Sequence, residues 1–370
     1  MELDLFDYEL PAAQIAREPL PERDASRLLV VDRARGDWED RHVRDLPALL
    51  AGNELLVVNN VRVIPARLFA RRRGVRAEPV GRQNPERRHY LSAQIEVLLV
   101  RQVDTVEWEA LVRPGRKVRT GERLVFAPEL EAEVVGRGAY GLRRLRFFDS
   151  AGRGIFDWLD RLGHVPLPPY LERPDQPFDR ERYQTIFART GVAVAAPTAG
   201  LHFTPALVEQ LRQRGVELVE LTLEVGPGTF QPIRTEHIEQ HRMYRERYHI
   251  PAETVAAIER ARSQGRPVVA VGTTVVRALE DAALKAVRRY GDAPQAPLLE
   301  PGSAEADLFI YPGHRFRVVD QLMTNFHLPR SSLLVLVAAF AGRELVLAAY
   351  RHAVAAGYRF YSYGDCMLIR

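Results

Sequence analysis

The pattern of apolar and polar positions places a β-rich stretch between two regions in which strands and helices follow each other. Between residues 93 and 148, five short stretches alternate apolar and polar residues, and turn residues such as Arg113-Pro114-Gly115 separate them. Alternation with a period of two predicts strands. Five strands at this spacing predict a small β-barrel or sandwich.

The pattern after residue 163 is that of alternating strands and helices. Thr204 with Pro205 predicts a helix start, since a Thr cap and a first-turn Pro suit the unpaired amides there, and Gly215 predicts its end. Further helices are predicted over 252–264, from the turn 272–274 to 290, over 331–341 and directly after. Strands are predicted over 53–69 (two, with a polar turn between them), 216–225, 267–271, 307–311, 322–326 and 358–369.

Alternating strands and helices on both sides of the β-rich stretch indicate one interrupted domain. The sequence therefore predicts an α/β fold class, with a discontinuous α/β main domain at 1–65 and 151–370. An inserted small all-β, barrel-like domain is predicted at 66–150.

Composition is that of an ordinary globular protein, with 46% apolar and 27% charged residues in 370. The strongly apolar, charge-free run 331–342 is shorter than the roughly 20 residues that cross a bilayer, and the amino terminus lacks a signal-peptide pattern. Cys366 is the single cysteine, so an intrachain disulfide is excluded. We expect a cytoplasmic monomer that binds no membrane. His237 and His241 have metal-ligand spacing, but no HExxH motif or thiolate supports them, so no metal is expected.

Charge is distributed unevenly along the chain. Residues 62–153 contain 20 Lys and Arg against 11 Asp and Glu, a net +9, while the whole chain is +4. A basic segment on an acidic remainder favours a polyanion partner such as nucleic acid. The alternative is a solvated face in an arginine-rich protein, since Lys117 and Lys285 are the only lysines.

Three segments place polar groups among apolar residues: His202 in APTAGLHFT, Asn325 and His327 in TNFHLP, and Asp365 in SYGDCMLI. Burying such groups costs free energy unless each is satisfied or used. A lone histidine of this kind is more often a satisfied core residue. Three such segments in one domain favour an acid–base site.

Two glycine turns, 226–229 and 272–274, allow a backbone to approach a ligand closely. Neither matches a P-loop, and the dinucleotide fingerprint is absent. Each turn alone is structural at least as often as functional.

Taken together, the motifs resemble the S-adenosylmethionine:tRNA ribosyltransferase-isomerase family of the queuosine pathway. The matching stretches follow in order from Asp7 to Ile369: DYELP, EPLPERDASRLLV, RVIPARLF, ALVRPGRKV, HVPLPPYLER, YQTIFA, AAPTAGLHFT, VGPGTF, VGTTVVRALE, TNFHLPRSSLL and RFYSYGDCMLI. The resemblance implies an α/β body with an inserted β-barrel. It also implies transfer and isomerisation of the ribosyl moiety of S-adenosylmethionine onto 7-aminomethyl-7-deazaguanine at the tRNA wobble position. Epoxyqueuosine forms, adenine and methionine leave, and no cofactor is needed beyond S-adenosylmethionine as co-substrate.

The resemblance suggests roles for particular residues. His202, His327 and Asp365 are expected around the reacting centre as acid–base or polarising groups. Residues expected to hold S-adenosylmethionine are Gly226, Gly228, Thr229, Gly272, Thr273, Thr274 and Asn325. Residues expected to meet tRNA are Arg277, for which the methionine carboxylate is the alternative, and Arg71, Arg72 and Arg73.

The sequence departs from the family pattern at several positions. NNVRV (59–63) stands for NDTRV, and HRMYRE (241–246) for a more histidine-rich run. Glu224 stands where the family has a histidine before the VG motif. If that histidine is the base, Glu224 substitutes for it with a different pKa, so Glu224 is a fourth catalytic candidate. The basic segment 74–93 is longer than the turn expected there, and we expect it to contact tRNA phosphate, with a disordered loop as the alternative.

Two other functions remain open from the residues alone. An S-adenosylmethionine-dependent RNA methyltransferase would share the composition and the glycine turn, but would release S-adenosylhomocysteine. A non-catalytic RNA-binding protein would use the basic β-rich segment, but would not need the embedded His and Asp.

Overall fold

The computed structural model describes residues 1–75, 91–138, 141–226, 233–293 and 295–370. In chain order its strands are β1 (Arg27–Asp32), β2 (Asp37–His42), β3 (Leu55–Asn59), β4 (Val61–Val63), β5 (Arg67–Arg72), β6 (Ile95–Gln102), β7 (Glu107–Arg113), β8 (Arg123–Ala127), β9 (Leu130–Arg137), β10 (Arg143–Asp149), β11 (Thr190–Ala193), β12 (Glu217–Leu223), β13 (Glu246–Ile250), β14 (Val268–Val271), β15 (Gly302–Ala306), β16 (Gln321–Asn325) and β17 (Cys366–Ile369). Its α-helices are α1 (Leu46–Leu49), α2 (Ile155–Leu162), α3 (Asp179–Arg182), α4 (Pro205–Gln213), α5 (Ala252–Ser263), α6 (Thr273–Tyr290), α7 (Ser332–Ala341) and α8 (Arg343–Ala355).

The chain forms two compact units. An α/β unit contains residues 1–62, 168–174 and 181–370, and a barrel unit contains residues 63–167 and 175–180. The barrel unit is therefore longer than the 66–150 expected from the sequence, because helix α2 and the chain after it belong to it.

A nine-stranded sheet forms the centre of the α/β unit, in the order β15-β13-β12-β3-β14-β16-β17-β1-β2. Its four middle strands, β12, β3, β14 and β16, run parallel to one another. The outer pairs are antiparallel, except that β17 and β1 are parallel. The carboxyl ends of the four middle strands consequently meet at one edge of the sheet.

Both faces of this sheet are covered by helices. In β3, Leu55 and Val57 pack into a core that includes residues of α5 to α8, while Leu56 and Val58 pack into a second core with residues of α1 and α4. Successive side chains of a strand point to opposite faces, so a strand buried on both sides reads as the continuous apolar run seen here. The predicted α/β fold class is confirmed.

The barrel unit contains a closed six-stranded antiparallel barrel, in the order β10-β7-β6-β5-β8-β9. Burial alternates along its strands; in β10, Arg143, Leu145 and Phe147 are buried and the residues between them are exposed. This alternation is the pattern that predicted a barrel or sandwich, and closure into a barrel removes the sheet edges. The sixth strand, β5, comes from the end of the segment 53–69.

Three predicted strands differ from the structure. The second strand of 53–69 is divided into β4, which pairs with β11, and β5, which belongs to the barrel. Residues 307–311 form no strand, because β13 begins at Glu246, opposite Ala306, and gives the following residues no partner within the described chain. Of 358–369, only Cys366–Ile369 forms a strand. The preceding residues turn sharply: Tyr361 has φ +72° and the Gly364 amide donates to the Tyr361 carbonyl at 3.0 Å.

Helices α7 and α8 bend by 116° at their junction. Together they pass a test of length and apolarity for crossing a membrane, while none of the individual helices in the described ranges does.

Candidate functional site

A cavity of about 270 Å³ opens at the carboxyl edge of the parallel strands. Its walls are formed by Val225 after β12, by 272–274 after β14 and by 324–328 at the end of β16. Residues 195–199 and 361–362 contribute further wall. Ligands of open α/β sheets bind outside the carboxyl ends of the strands. The described cavity is therefore placed where this architecture puts a binding site.

One wall of the cavity is the first turn of α6. Gly272 precedes the helix with φ +100°, which favours glycine, and its amide donates to the Met323 carbonyl at 2.8 Å. Thr273 and Thr274 follow on the cavity wall. The Thr274 hydroxyl is buried and has no hydrogen-bond partner among the residues described. This turn thus presents the positive end of an 18-residue helix and an unused hydroxyl to a ligand.

His327 lies on the cavity wall with a ring that burial keeps neutral. Its Nε2 lies 2.8 Å from the Thr324 hydroxyl, its amide donates to the Tyr350 hydroxyl at 3.0 Å, and its carbonyl accepts from the Tyr8 hydroxyl at 2.5 Å. Removal from water lowers the pKa of His327 to about 3. A neutral imidazole in this position can accept a proton at physiological pH.

Asn325 and Tyr361 place two further polar atoms in the cavity wall. The Asn325 amide nitrogen donates to the Tyr361 carbonyl at 2.9 Å, and the Asn325 side chain also hydrogen-bonds with the ring of His202. The Tyr361 hydroxyl is buried and has no partner in the described ranges. The Tyr361 ring stacks on Tyr170 at a centroid distance of 4.3 Å. Both tyrosines line the cavity. Sequence reasoning missed them, because no sequence motif predicts a tyrosine with a left-handed backbone conformation or the ring that stacks on it.

His202 does not line this cavity but a smaller pocket, which shares Ser362 with it. The ring is 3% exposed. Burial lowers the pKa of His202 to about 4, although hydrogen bonds of the ring with the Asn325 side chain and the Arg23 main chain act in the opposite direction. Asn325 therefore links the wall of the cavity to His202.

Asp365 lines neither opening. Its two carboxylate oxygens each accept a backbone N–H at 2.8 Å, one from Arg27 at the start of β1 and one from Arg359. Burial raises the pKa of Asp365, and these two hydrogen bonds oppose the rise. The carboxylate thus ties β1 to the turn that carries Tyr361, and it presents no face to the cavity.

The loop after β12 separates the remaining candidates. Glu224 lines a different opening of about 440 Å³, together with Arg247 and His249. The Gly226 amide donates to Glu246 Oε1 at 2.9 Å. Gly228 and Thr229 lie outside the described residues. Only the neighbouring Val225 of this loop reaches the described cavity wall.

Arg277 is 4% exposed and forms an ion pair with the buried carboxylate of Glu246. Its guanidinium also donates, at 3.4 Å each, to the carbonyls of Leu308 and Tyr244. In this structure the Arg277 side chain is buried inside the α/β unit and paired with Glu246. The sequence analysis expected its charge to meet tRNA or the methionine carboxylate instead.

Arg71, Arg72 and Arg73 lie at the end of β5 in the barrel unit. Arg73 contacts Glu131 through two nitrogens, and Arg72 donates to the Lys117 carbonyl at 3.0 Å and lies 3.5 Å from Glu122. Arg71 is exposed. Residues 76–90 of the basic segment 74–93 lie outside the described residues.

The described residues contain no group of three or more His, Cys, Asp or Glu arranged to hold a metal ion. Cys366 is buried, and burial raises the pKa of its thiol.

The sequence matches the family described as Queuosine biosynthesis protein over residues 3–369. The S-adenosylmethionine:tRNA ribosyltransferase-isomerase of Solibacter usitatus is 54% identical over 371 residues, covering 100% of both chains. That of Moorella thermoacetica is 48% identical, again covering 100% of both. Among solved structures, the S-adenosylmethionine tRNA ribosyltransferase from Thermotoga maritima is 38% identical, with a TM-score of 0.51 over 99% of this chain and 100% of that one.

Proposed function

This chain belongs to the queuosine biosynthesis protein family, and we propose that it is an S-adenosylmethionine:tRNA ribosyltransferase-isomerase. The ribosyl moiety of S-adenosylmethionine is transferred to 7-aminomethyl-7-deazaguanine at the wobble position of tRNA and is isomerised. Epoxyqueuosine-tRNA, adenine and methionine are the products. The two substrates are S-adenosylmethionine and the modified tRNA, and no further cofactor takes part.

We place the S-adenosylmethionine in the cavity at the carboxyl edge of the sheet. The observation that carries this assignment is the convergence of two buried hydroxyls without partners in the described chain, those of Thr274 and Tyr361. Buried polar atoms are normally paired, and an unpaired one costs about 1–3 kcal/mol. Two of them around one opening favour a polar ligand that supplies the missing partners.

His327 is our candidate for the general base. The sulfonium of the donor acidifies the neighbouring 5′ carbon, so a neutral base beside that carbon can remove a proton and leave an ylide-like carbanion. Burial lowers the pKa of His327 and so keeps the ring neutral, with a lone pair that can accept a proton. The Thr324 hydroxyl, 2.8 Å from Nε2, fixes the orientation of the ring. An apolar wall also keeps the attacking amine of the modified base neutral.

His202 and Asp365 do not line the cavity and act on it through other residues. His202 reaches it through Asn325, and Asp365 holds the backbone of the turn that carries Tyr361. We assign both as positioning residues. Glu224, which lines another opening, is left without a role in the proton transfers proposed here.

We assign phosphate contacts to the barrel unit, whose net positive charge is concentrated in 62–153. Arg71 is our first candidate, since it is exposed, whereas Arg72 and Arg73 already contact Glu122 and Glu131. These contacts position tRNA without reading its sequence.

The test is incubation of the protein with S-adenosylmethionine and tRNA carrying 7-aminomethyl-7-deazaguanine, followed by nucleoside mass spectrometry. We expect epoxyqueuosine in the tRNA, with adenine and methionine released. Formation of S-adenosylhomocysteine instead would show a methyltransferase. His327→Asn should lower kcat by roughly 10²- to 10⁴-fold, whereas His237→Asn, at an exposed histidine outside the cavity wall, should leave kcat unchanged.

A further inference from the structure

A second, half-open pocket of about 20 Å³ lies beside the cavity in the α/β unit. Arg23, Arg182 and His202 are among its lining residues, and Ser362 lines both openings. None of the roles assigned above uses the arginines.

The pocket collects positive charge, and the Glu181 carboxylate acts on Arg23 through its charge without a hydrogen bond or ion pair to it in the described chain. Arg23 and Arg182 lie close enough for each charge to disfavour the other, and burial together with this repulsion lowers the pKa of Arg23. Arg359 also lies near His202, since its charge, like that of Arg23, lowers the pKa of His202. Burying like charges together costs free energy unless counter-charges are supplied.

Main-chain carbonyls rather than side-chain carboxylates hold the arginines. Arg23 donates to the carbonyls of Leu201 at 3.2 Å and Glu181 at 3.0 Å. Arg182 donates to those of Leu20 at 2.6 Å and Pro21 at 2.9 Å.

Arg359 donates to the Glu18 carbonyl. The one acidic side chain on the pocket, Glu22, pairs with Arg44 at 3.0 Å. The pocket therefore has an excess of positive charge, and the carboxylate on its wall is engaged by Arg44.

One buried nitrogen on the pocket wall, Nε of Arg182, lacks a partner within the described ranges, and so does Nη1 of Arg359, which does not line the pocket. The His202 ring already hydrogen-bonds to the Asn325 side chain and the Arg23 main chain. The His202 ring is nine-tenths or more buried and lines the pocket. The guanidinium groups offer donors alone, and an imidazole that gains a proton also donates, so the missing ligand is an acceptor with negative charge.

We propose that this pocket binds an oxyanion of one of the two substrates, either the carboxylate of the sulfonium donor or a phosphate of the tRNA. The identity of the substrates rests on the function proposed above. A pocket of this volume admits about one water-sized group, so the oxyanion enters as the end of a larger molecule. The forked guanidinium groups match the oxygens of a carboxylate or a phosphate.

The test compares Arg182→Gln with Arg212→Gln, a matched loss of one charge at an exposed position of α4 outside the pocket. Dissociation constants for S-adenosylmethionine and for substrate tRNA are measured separately. We expect Arg182→Gln to weaken one of the two by roughly tenfold to a hundredfold, and Arg212→Gln to change neither. Weakened donor binding identifies the carboxylate. Weakened tRNA binding with a shallower salt dependence identifies the phosphate. Unchanged constants for both ligands overturn the proposal.

Arg182 also donates to the carbonyls of Leu20 and Pro21. If Arg182→Gln fails to fold for this reason, the proposal is tested on the wild-type protein instead. Its ¹⁵N-labelled histidine rings are titrated separately with acetate, as a carboxylate probe, and with inorganic phosphate, and are assigned with His202→Gln. Saturable movement of the His202 resonances with at least one probe, with His237 unmoved, is expected; His202 resonances that move with neither probe overturn the proposal. Product formation by the wild-type protein separates the two hypotheses. If the wild-type protein forms epoxyqueuosine but neither dissociation constant changes in Arg182→Gln, only the oxyanion pocket is refuted. If the wild-type protein forms no product, the proposed function is refuted.

Discussion

Lowering the pH from 7.5 to 5.5 should destabilise the α/β unit through its two buried histidines. The pKa of His202 is lowered to about 4 and that of His327 to about 3, both by burial. In the unfolded chain each titrates near 6.5. Below that pH the unfolded state binds more protons, so stability that is fully present above about 6.5 is lost as the pH falls toward the folded values.

The size of the effect follows from the pKa differences. Each histidine costs about 1.4 kcal/mol per pH unit once the pH lies below 6.5, so the pair costs about 3 kcal/mol between pH 7.5 and 5.5. Asp365 acts with the opposite sign, because its pKa is raised and its protonation on acidification favours the folded state. A comparison with variants is therefore needed to isolate the histidines.

The assay is urea unfolding followed by far-ultraviolet circular dichroism, fitted to the transition of the α/β unit. The double variant His202→Gln/His327→Gln should lose about 3 kcal/mol less than the wild type between the two pH values, and the exposed-site control His237→Gln should behave as the wild type. If the double variant loses as much stability as the wild type, the two rings are not held neutral by burial, and the basic form of His327 loses its support.

Three further outcomes test other parts of the account. Asp365→Ala should lower the free energy of unfolding by about 2–6 kcal/mol, since two buried amides lose their acceptor; an unchanged urea midpoint with lost turnover would instead make Asp365 catalytic. Glu246→Gln should destabilise by about 3–5 kcal/mol by leaving the buried Arg277 charge unpaired, and a melting temperature equal to that of the wild type would contradict this. Tyr361→Phe should weaken S-adenosylmethionine binding roughly tenfold with no loss of stability, and calorimetry showing unchanged affinity would remove its hydroxyl from the site.

Local sequence patterns predicted the elements that depend on neighbouring residues. The Thr204 cap and the following proline locate α4, and the Thr204 hydroxyl accepts from the Leu207 amide at 3.1 Å as such a cap does. Gly272 correctly predicts the start of α6. The alternating stretches of 93–148 correspond to five of the six barrel strands. These features depend on local propensity and periodicity, which a single sequence reports.

The composition of the site was only partly predictable, because it depends on contacts between distant segments. His327 and Asn325 stand out in the sequence as polar residues among apolar ones, and both line the cavity. Asp365 stands out equally, but its partners are backbone amides 6 and 338 residues away. The burial of Arg277 likewise depends on Glu246, 31 residues away. A polar residue among apolar ones is predicted either to be hydrogen-bonded inside the core or to take part in a site. Its tertiary neighbours decide between the two.

The central claim is that the sulfonium donor binds at the carboxyl edge of the parallel strands. A crystal structure of the protein with S-adenosylmethionine tests it directly. The account predicts the donor between the first turn of α6 and residues 325–327, with its polar atoms hydrogen-bonded to Thr274 and Tyr361. A donor found instead in the opening lined by Glu224 and Arg247, with those two hydroxyls still unpartnered, would contradict it.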